Sequence, residues 1–154
     1  MDITRLLVTP EDTEKFIRQV LTAAVDGGAD NAAASDIFIV AGAGIAFKRK
    51  GKLNWPYGDG KPNDKNTIDD SHKDDETWKR EQEEKRENGC VTFRDAEKLV
   101  LALYRVAFPS EGQAEERKRH EQALLSRGDD DFSFSVSGIG RFRCNAYRQR
   151  GSLA

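Results

Sequence analysis

The sequence predicts an α+β fold, a mainly antiparallel sheet with helices packed on one face. Three observations predict it. Phe132, Phe134 and Val136 alternate with serines, the period-2 pattern of a half-buried strand, and a second alternating run follows after a Gly-containing turn. Thr9-Pro10-Glu11-Asp12 and Thr92 each open an amphipathic helical pattern. The elements fall in the order α-β-β-β-α-α-β-β with no internal repeat, so helix and strand segregate instead of alternating.

Each element has a local cause. Thr9 is an N-cap, Pro10 suits the first helical position, and Glu11 and Asp12 place acids in the first turn. Phe16, Ile17, Val20, Leu21 and Ala24 then mark one apolar face, and Gly27-Gly28 ends the helix. Residues 37–41 form a short apolar strand. Gly42-Ala43-Gly44 turns the chain, residues 45–50 return, and Gly51-Lys52 opens a third strand over 53–55. Thr92 caps a second helix, with Phe93, Ala96, Leu99, Val100, Leu103, Val106 and Ala107 as its buried face. Pro109-Ser110 breaks it. Residues 112–126 form a third, more polar helix anchored by Leu124-Leu125. In the terminal hairpin, Phe142, Cys144 and Ala146 take one side of the last strand, with Gln149 open as a further member. Arg141, Arg143, Asn145 and Tyr147 take the other.

Between 56 and 88 the composition changes. Pro, Gly, Asn and Asp dominate to residue 70, then Lys, Arg, Glu and Asp. Glu76 with Arg80 and Glu81 with Lys85 sit at i, i+4, so 74–88 could form a charge-laced helix. Beyond Trp78 it has almost no apolar face, and we expect a solvated, flexible insertion. A partner-binding role resting on Trp78 is the other reading.

At 154 residues the chain is one domain by length. Charged residues make up 34% and hydrophobic ones 37%, the mark of a domain diluted by a solvated segment. Lys and Arg total 25 against 27 Asp and Glu, a net charge of −2, which gives no global case for nucleic acid or an anionic membrane. No apolar run approaches a bilayer's span, and the opening Met-Asp-Ile-Thr lacks the features of a signal peptide, so a cytoplasmic location with no membrane insertion is expected. Cys90 and Cys144 have no metal-site or redox spacing and read as reduced, structural thiols. His72 and His120 lie in polar stretches and read as solvated surface histidines. Asp129-Asp130-Asp131 reads as a solvated acidic turn in preference to a metal cluster, because consecutive residues on a strand point to different faces, and it could also pair with Arg141 or Arg143 across the hairpin.

The block from Asp131-Phe132-Ser133-Phe134 through Gly138-Ile139-Gly140-Arg141-Phe142-Arg143-Cys144-Asn145 to Arg148-Gln149-Arg150-Gly151-Ser152 resembles a motif of type IV pilus retraction ATPases. It is similar to the "DFSF…G-x-GRFR-x-N-x-x-RQRGS" segment in the amino-terminal domain of this PilT family of twitching-motility motors. Met1-Asp2-Ile3 with Leu6-Leu7, Ala34-Ser35-Asp36-Ile37-Phe38-Ile39 with Gly42, Gly51-Lys52-Leu53 and Ala96-Glu97-Lys98-Leu99-Val100 resemble further family segments in the right order. Together they cover roughly two thirds of the chain. The chain departs from the family at Phe38, where His is usual, and at Ala43-Gly44-Ile45-Ala46, where prolines are usual. Asn31-Ala32-Ala33 is an extra insertion, and Cys144 replaces Val.

The resemblance implies a PAS-like amino-terminal domain. It implies packing on the RecA-like motor domains of the same and neighbouring subunits in a homo-hexamer, reached indirectly by the pilus inner-membrane platform. It places ATP and Mg²⁺ between domains in the parent protein and none in this chain, with Arg143 first, then Arg141, and more weakly Arg148 and Arg150, contacting phosphate in trans. Cross-hairpin ion pairs and subunit-interface salt bridges remain open for these arginines. The phosphate-cradling loop G-x-x-x-x-G-K-[ST] is missing: Gly51-Lys52 precedes Leu53, and Gly60-Lys61 precedes Pro62 with Trp55 at the first-glycine position. We therefore expect a chain without catalytic residues, an excised domain of a longer motor or else a truncated gene product, with the first favoured. The alternative is a stand-alone PAS-like sensor or adaptor binding a protein or small ligand.

Residues 56–88 should be dispensable for folding, because loop length changes closure entropy by only about 0.6 kcal/mol per doubling. Replacing them with a short Gly-Ser turn should leave thermal unfolding within about ten degrees of the parent; a larger fall would show that the segment packs.

Overall fold

The computed structural model describes residues 1–27, 32–57, 76, 80, 89–149 and 151–154. A 3-10 turn, Ile3–Leu6, leads into helix α1, Pro10–Val25. Strands β1 (Asp36–Phe38), β2 (Ala46–Arg49) and β3 (Lys52–Asn54) follow, then helix α2 (Phe93–Ala107). A second 3-10 turn, Glu111–Gln113, precedes helix α3 (Ala114–Arg127). Strands β4 (Asp129–Val136), β5 (Gly140–Gln149) and β6 (Ser152–Leu153) complete the fold.

Both long helices start on a reciprocal cap. The Thr9 hydroxyl accepts from the Asp12 N–H at 3.1 Å, and the Asp12 carboxylate accepts from the Thr9 N–H at 3.1 Å. Thr92 and Asp95 repeat the arrangement. Asp95 is buried and also accepts from the Thr4 hydroxyl at 2.7 Å, so the cap of α2 fastens the amino-terminal turn. Lys98 Nζ reaches the Leu7 carbonyl at 2.8 Å and ties down the same segment. The apolar stripes of α1 (Phe16, Ile17, Val20, Leu21, Ala24) and α2 (Ala96, Leu99, Val100) then meet in one core, spanned at its edge by a 2.6 Å ion pair between Arg105 and Glu14.

The α+β, antiparallel expectation holds, with the strands divided between two three-stranded sheets, β1-β2-β3 and β4-β5-β6. Lys50 and Gly51 both have positive φ, 47° and 78°, which matches the right-handed twist of the flanking strands in a two-residue hairpin. The turn after β1 is held to the strand-like approach of α2 by Gly42 N–H to Val91 O and Val91 N–H to Ala43 O, each 2.8 Å. Gly128, at φ 88°, ends α3 in the left-handed conformation and sends the chain directly into β4.

Several expectations are corrected. Phe93 is 64% exposed, because its position at the first turn of α2 faces away from α1; Ala102 and Tyr104 are buried in its stead. Leu124 is buried but Leu125 is 61% exposed, so one leucine anchors α3. β6 is an additional strand, paired with the end of β5. Tyr57 belongs to the core rim, its ring 5.3 Å from that of Phe16 and 6.4 Å from that of Phe47, so the replaceable stretch begins after it. The 74–88 helix and Trp78 lie outside the described residues except for Glu76 and Arg80, both helical. Gly28, Asn31, His72, the Gly60-Lys61 pair and Arg150 also lie outside them.

Leu124→Ala should cost about 2–5 kcal/mol in denaturant unfolding, the usual range for a buried leucine. Leu125→Ala should stay within about 0.5 kcal/mol of wild type. Equal losses would show that both leucines pack.

Candidate functional site

The β4–β5 hairpin carries the candidate site. Its register pairs Ser135 with Arg141, Ser133 with Arg143 and Asp131 with Asn145. Alternation then sorts the side chains. Phe132, Phe134, Val136 and Ala146 are buried on the inner face, with Phe142 and Cys144 partly so. Arg141, Arg143, Asn145 and Tyr147 stand on the exposed outer face.

Arg143 extends diagonally across the ladder to Asp131. Its Nε donates to Oδ1 at 3.0 Å and its Nη2 to Oδ2 at 2.5 Å, a bidentate pair. The Arg143 side chain remains 76% exposed. The hydrogen bond from Arg143 holds the Asp131 carboxyl below its ordinary range, and the same bond holds the guanidinium above its own. Of the open readings for the acidic run, cross-hairpin pairing is thus realised at Asp131 with Arg143. Arg141 lies on the same face, two residues away and without a hydrogen bond or ion pair among the described residues. Arg148 has the opposite strand parity and is exposed; its backbone N–H reaches the Gly128 carbonyl at 2.8 Å. The strand therefore brings Arg141 and Arg143 together and sets Arg148 apart.

Behind this face lies a polar cluster that the expectation of solvated histidines and a solvated acidic turn overlooked. Asp130 is only 4% exposed and lies within β4 on the inner face. The buried Tyr104 hydroxyl donates to its Oδ2 at 2.9 Å, and His120 Nδ1 lies 2.9 and 3.1 Å from its two oxygens. The His120 ring stacks on Phe108 with centroids 4.9 Å apart and sits 5.0 Å from Phe132. Asp130 is buried here, and His120 half-buried, because each satisfies the other beside an aromatic slot. Burial, reinforced by the Asp130 hydrogen bond, pushes the Tyr104 phenol far above its ordinary value. Burial, with the nearby Asp130 and Asp131 charges, pushes the Cys144 thiol up to about 12, so this cysteine is an inert packing group. The sequence did carry a signal: extending the alternation of Phe132 and Phe134 back by two places Asp130 inside.

An open cleft of about 790 Å³ runs between α1, α2, β1 and the hairpin. Its floor is apolar, from Ile17, Val20, Leu99 and Val100, and Arg141, Arg143 and Asn145 stand along one wall. Among the described residues no cluster of His, Cys, Asp or Glu could hold a metal ion, and no helix is long and apolar enough to cross a membrane. Chemically the face offers guanidinium donors in a fixed frame and no nucleophile–base pair.

No protein-family model and no curated protein matches the chain. Among solved structures, the pilus retraction motor PilT with bound ADP is similar, at a TM-score of 0.50 and 29% sequence identity. The likeness covers 88% of this chain and 26% of that one, so the chain spans about a quarter of the length of the motor it matches. The resemblance carried by the carboxy-terminal block thus extends over most of the chain.

The Asp131–Arg143 pair has a pH signature. A carboxyl with a lowered folded pKa contributes stability above the ordinary aspartate value of about 3.9 and loses it as pH falls through the lowered one. Carbon-13 NMR titration should place the Asp131 midpoint below that ordinary value, and Arg143→Ala should return it there while leaving the thermal midpoint near wild type. An unshifted wild-type midpoint would show that the pair does not persist in solution.

Proposed function

We propose that this chain is the non-catalytic, PAS-like amino-terminal domain of a motor related to the type IV pilus retraction ATPases. The observation that carries this reading is the 29% identity over 88% of the chain to a pilus retraction motor that binds ADP. In the proposed parent, the domain packs on RecA-like motor domains of its own and a neighbouring subunit in a hexameric ring on the cytoplasmic side of the membrane. ATP and Mg²⁺ are held by the motor domain. Arg143, with Arg141 beside it, presents guanidinium donors to the phosphates from the neighbouring subunit, and Arg148 is a weaker contributor.

The residues fit that role chemically. Guanidinium forks match phosphate oxygens, and both leading candidates project from one face of a paired strand. Phosphoryl transfer gains most from positioning and charge stabilisation, which an arginine supplied in trans provides. The apolar cleft favours a second reading, a sensor or adaptor module taking a protein or small ligand.

The test joins binding to turnover. Calorimetry of this chain alone with Mg-ATP should show no micromolar binding and no hydrolysis. With the chain linked to its motor domain, Arg143→Ala should lower ATP turnover by roughly 10³-fold, the smaller end of what an arginine in trans contributes. Micromolar binding by the isolated chain, or undiminished turnover in the linked variant, would overturn the assignment.

A further inference from the structure

We infer that Asp131 is a positioning residue for Arg143: it clamps one edge of the guanidinium and leaves the other turned toward phosphate. This rests on the phosphate-contacting reading of Arg143. The guanidinium has two usable edges. Asp131 occupies the one formed by Nε and Nη2, at 3.0 and 2.5 Å. The remaining edge, Nη1 with the second N–H of Nη2, makes no hydrogen bond among the described residues, and the side chain is 76% exposed. A planar fork held by one carboxylate cannot rotate freely, so its outer edge is aimed before a ligand arrives.

The clamp is itself fixed. Asp131 and Arg143 lie on strands paired from Asp129–Tyr147 to Val136–Gly140. The residue before Asp131 is Asp130, whose carboxylate is buried against Tyr104 and His120. Strand parity then forces Asp131 to the outer face. Arg141 is the internal contrast: same strand, same face and likewise opposite a serine, but its equivalent diagonal neighbour is Ser133 and not a carboxylate. Asp129 shares the outer face with Asp131 yet makes no hydrogen bond or ion pair with either arginine.

Positioning and plain electrostatics predict opposite signs. Removing a negative charge beside an anion site strengthens anion binding if charge alone acts. Removing an orienting partner weakens it, because ordering a long side chain then falls to the binding step. The probe is inorganic tripolyphosphate, titrated into this chain at low ionic strength and followed by the Arg143 Nε–H NMR signal. Asp131→Asn should weaken binding roughly three- to tenfold, the cost of ordering one such side chain, and should broaden that signal in the free protein. Asp129→Asn makes the same charge change and should leave binding equal or slightly stronger. Asp131→Glu keeps the carboxylate and should recover part of the loss.

Arg143→Ala separates the two layers. If it weakens tripolyphosphate binding while Asp131→Asn strengthens it, positioning is overturned and phosphate contact stands. Binding weaker than micromolar suffices here and agrees with the expected lack of tight ATP binding by the chain alone; if tripolyphosphate at millimolar concentration neither shifts the Arg143 Nε–H signal nor shows any dependence on Arg143, both fall.

Discussion

The fold turns on a carboxylate buried among aromatic rings. Asp130 is nearly sealed from water, and an unpartnered charge in that place would be strongly unfavourable. It is tolerated because Tyr104 from α2 and His120 from α3 converge on it. The two helices and strand β4 can therefore pack in one mutual arrangement. A helix shifted along its axis would strand either a phenol or a carboxylate inside the protein. The same anchor fixes strand register. Sliding β4 by one residue would carry Asp130 to solvent and turn Phe132, Phe134 and Val136 out with it.

The inner constraint dictates the outer face. Once Asp130 points inward, Asp131 must point outward, and the β5 register sets Arg143 within diagonal reach. The serines at 133 and 135 keep the rest of that face low, so both arginines stand clear of bulky neighbours. Arg148, of opposite parity, is excluded from the group by the same period-2 rule. A buried network thus determines which basic side chains share one face of the strand.

Much of this was legible in the sequence, and the limits have physical causes. Both caps were readable because Thr-x-x-Asp is a purely local device, and both formed. The hairpin and its two faces were readable because alternation is local too. Which face of a helix is buried depends on the partner, which is why Phe93 and Leu125 came out exposed. Asp130 and His120 were misjudged because composition treats charge runs as solvated, whereas polar groups on different elements can satisfy each other once the chain folds. The division of the strands between two sheets depends on long-range pairing that no local pattern encodes. The Asp131–Arg143 bond was one of several open pairings; only the diagonal offset in the folded ladder selects it.

An arginine on a paired strand differs from one on a loop in what binding must accomplish. On a loop, backbone and side chain are both ordered when the ligand arrives. Here the backbone is already fixed by the ladder on both sides of Arg143, and the Asp131 clamp narrows the rotamers of the side chain. The domain's contribution is therefore geometric. Among the described residues no hydrogen-bonded nucleophile–base pair stands on the arginine face, the Cys144 thiol is inert, and His120 is committed to Asp130. What the domain does offer is a guanidinium with a fixed direction, displayed at its surface. On the proposed reading, such a group gains importance when another surface supplies the anion.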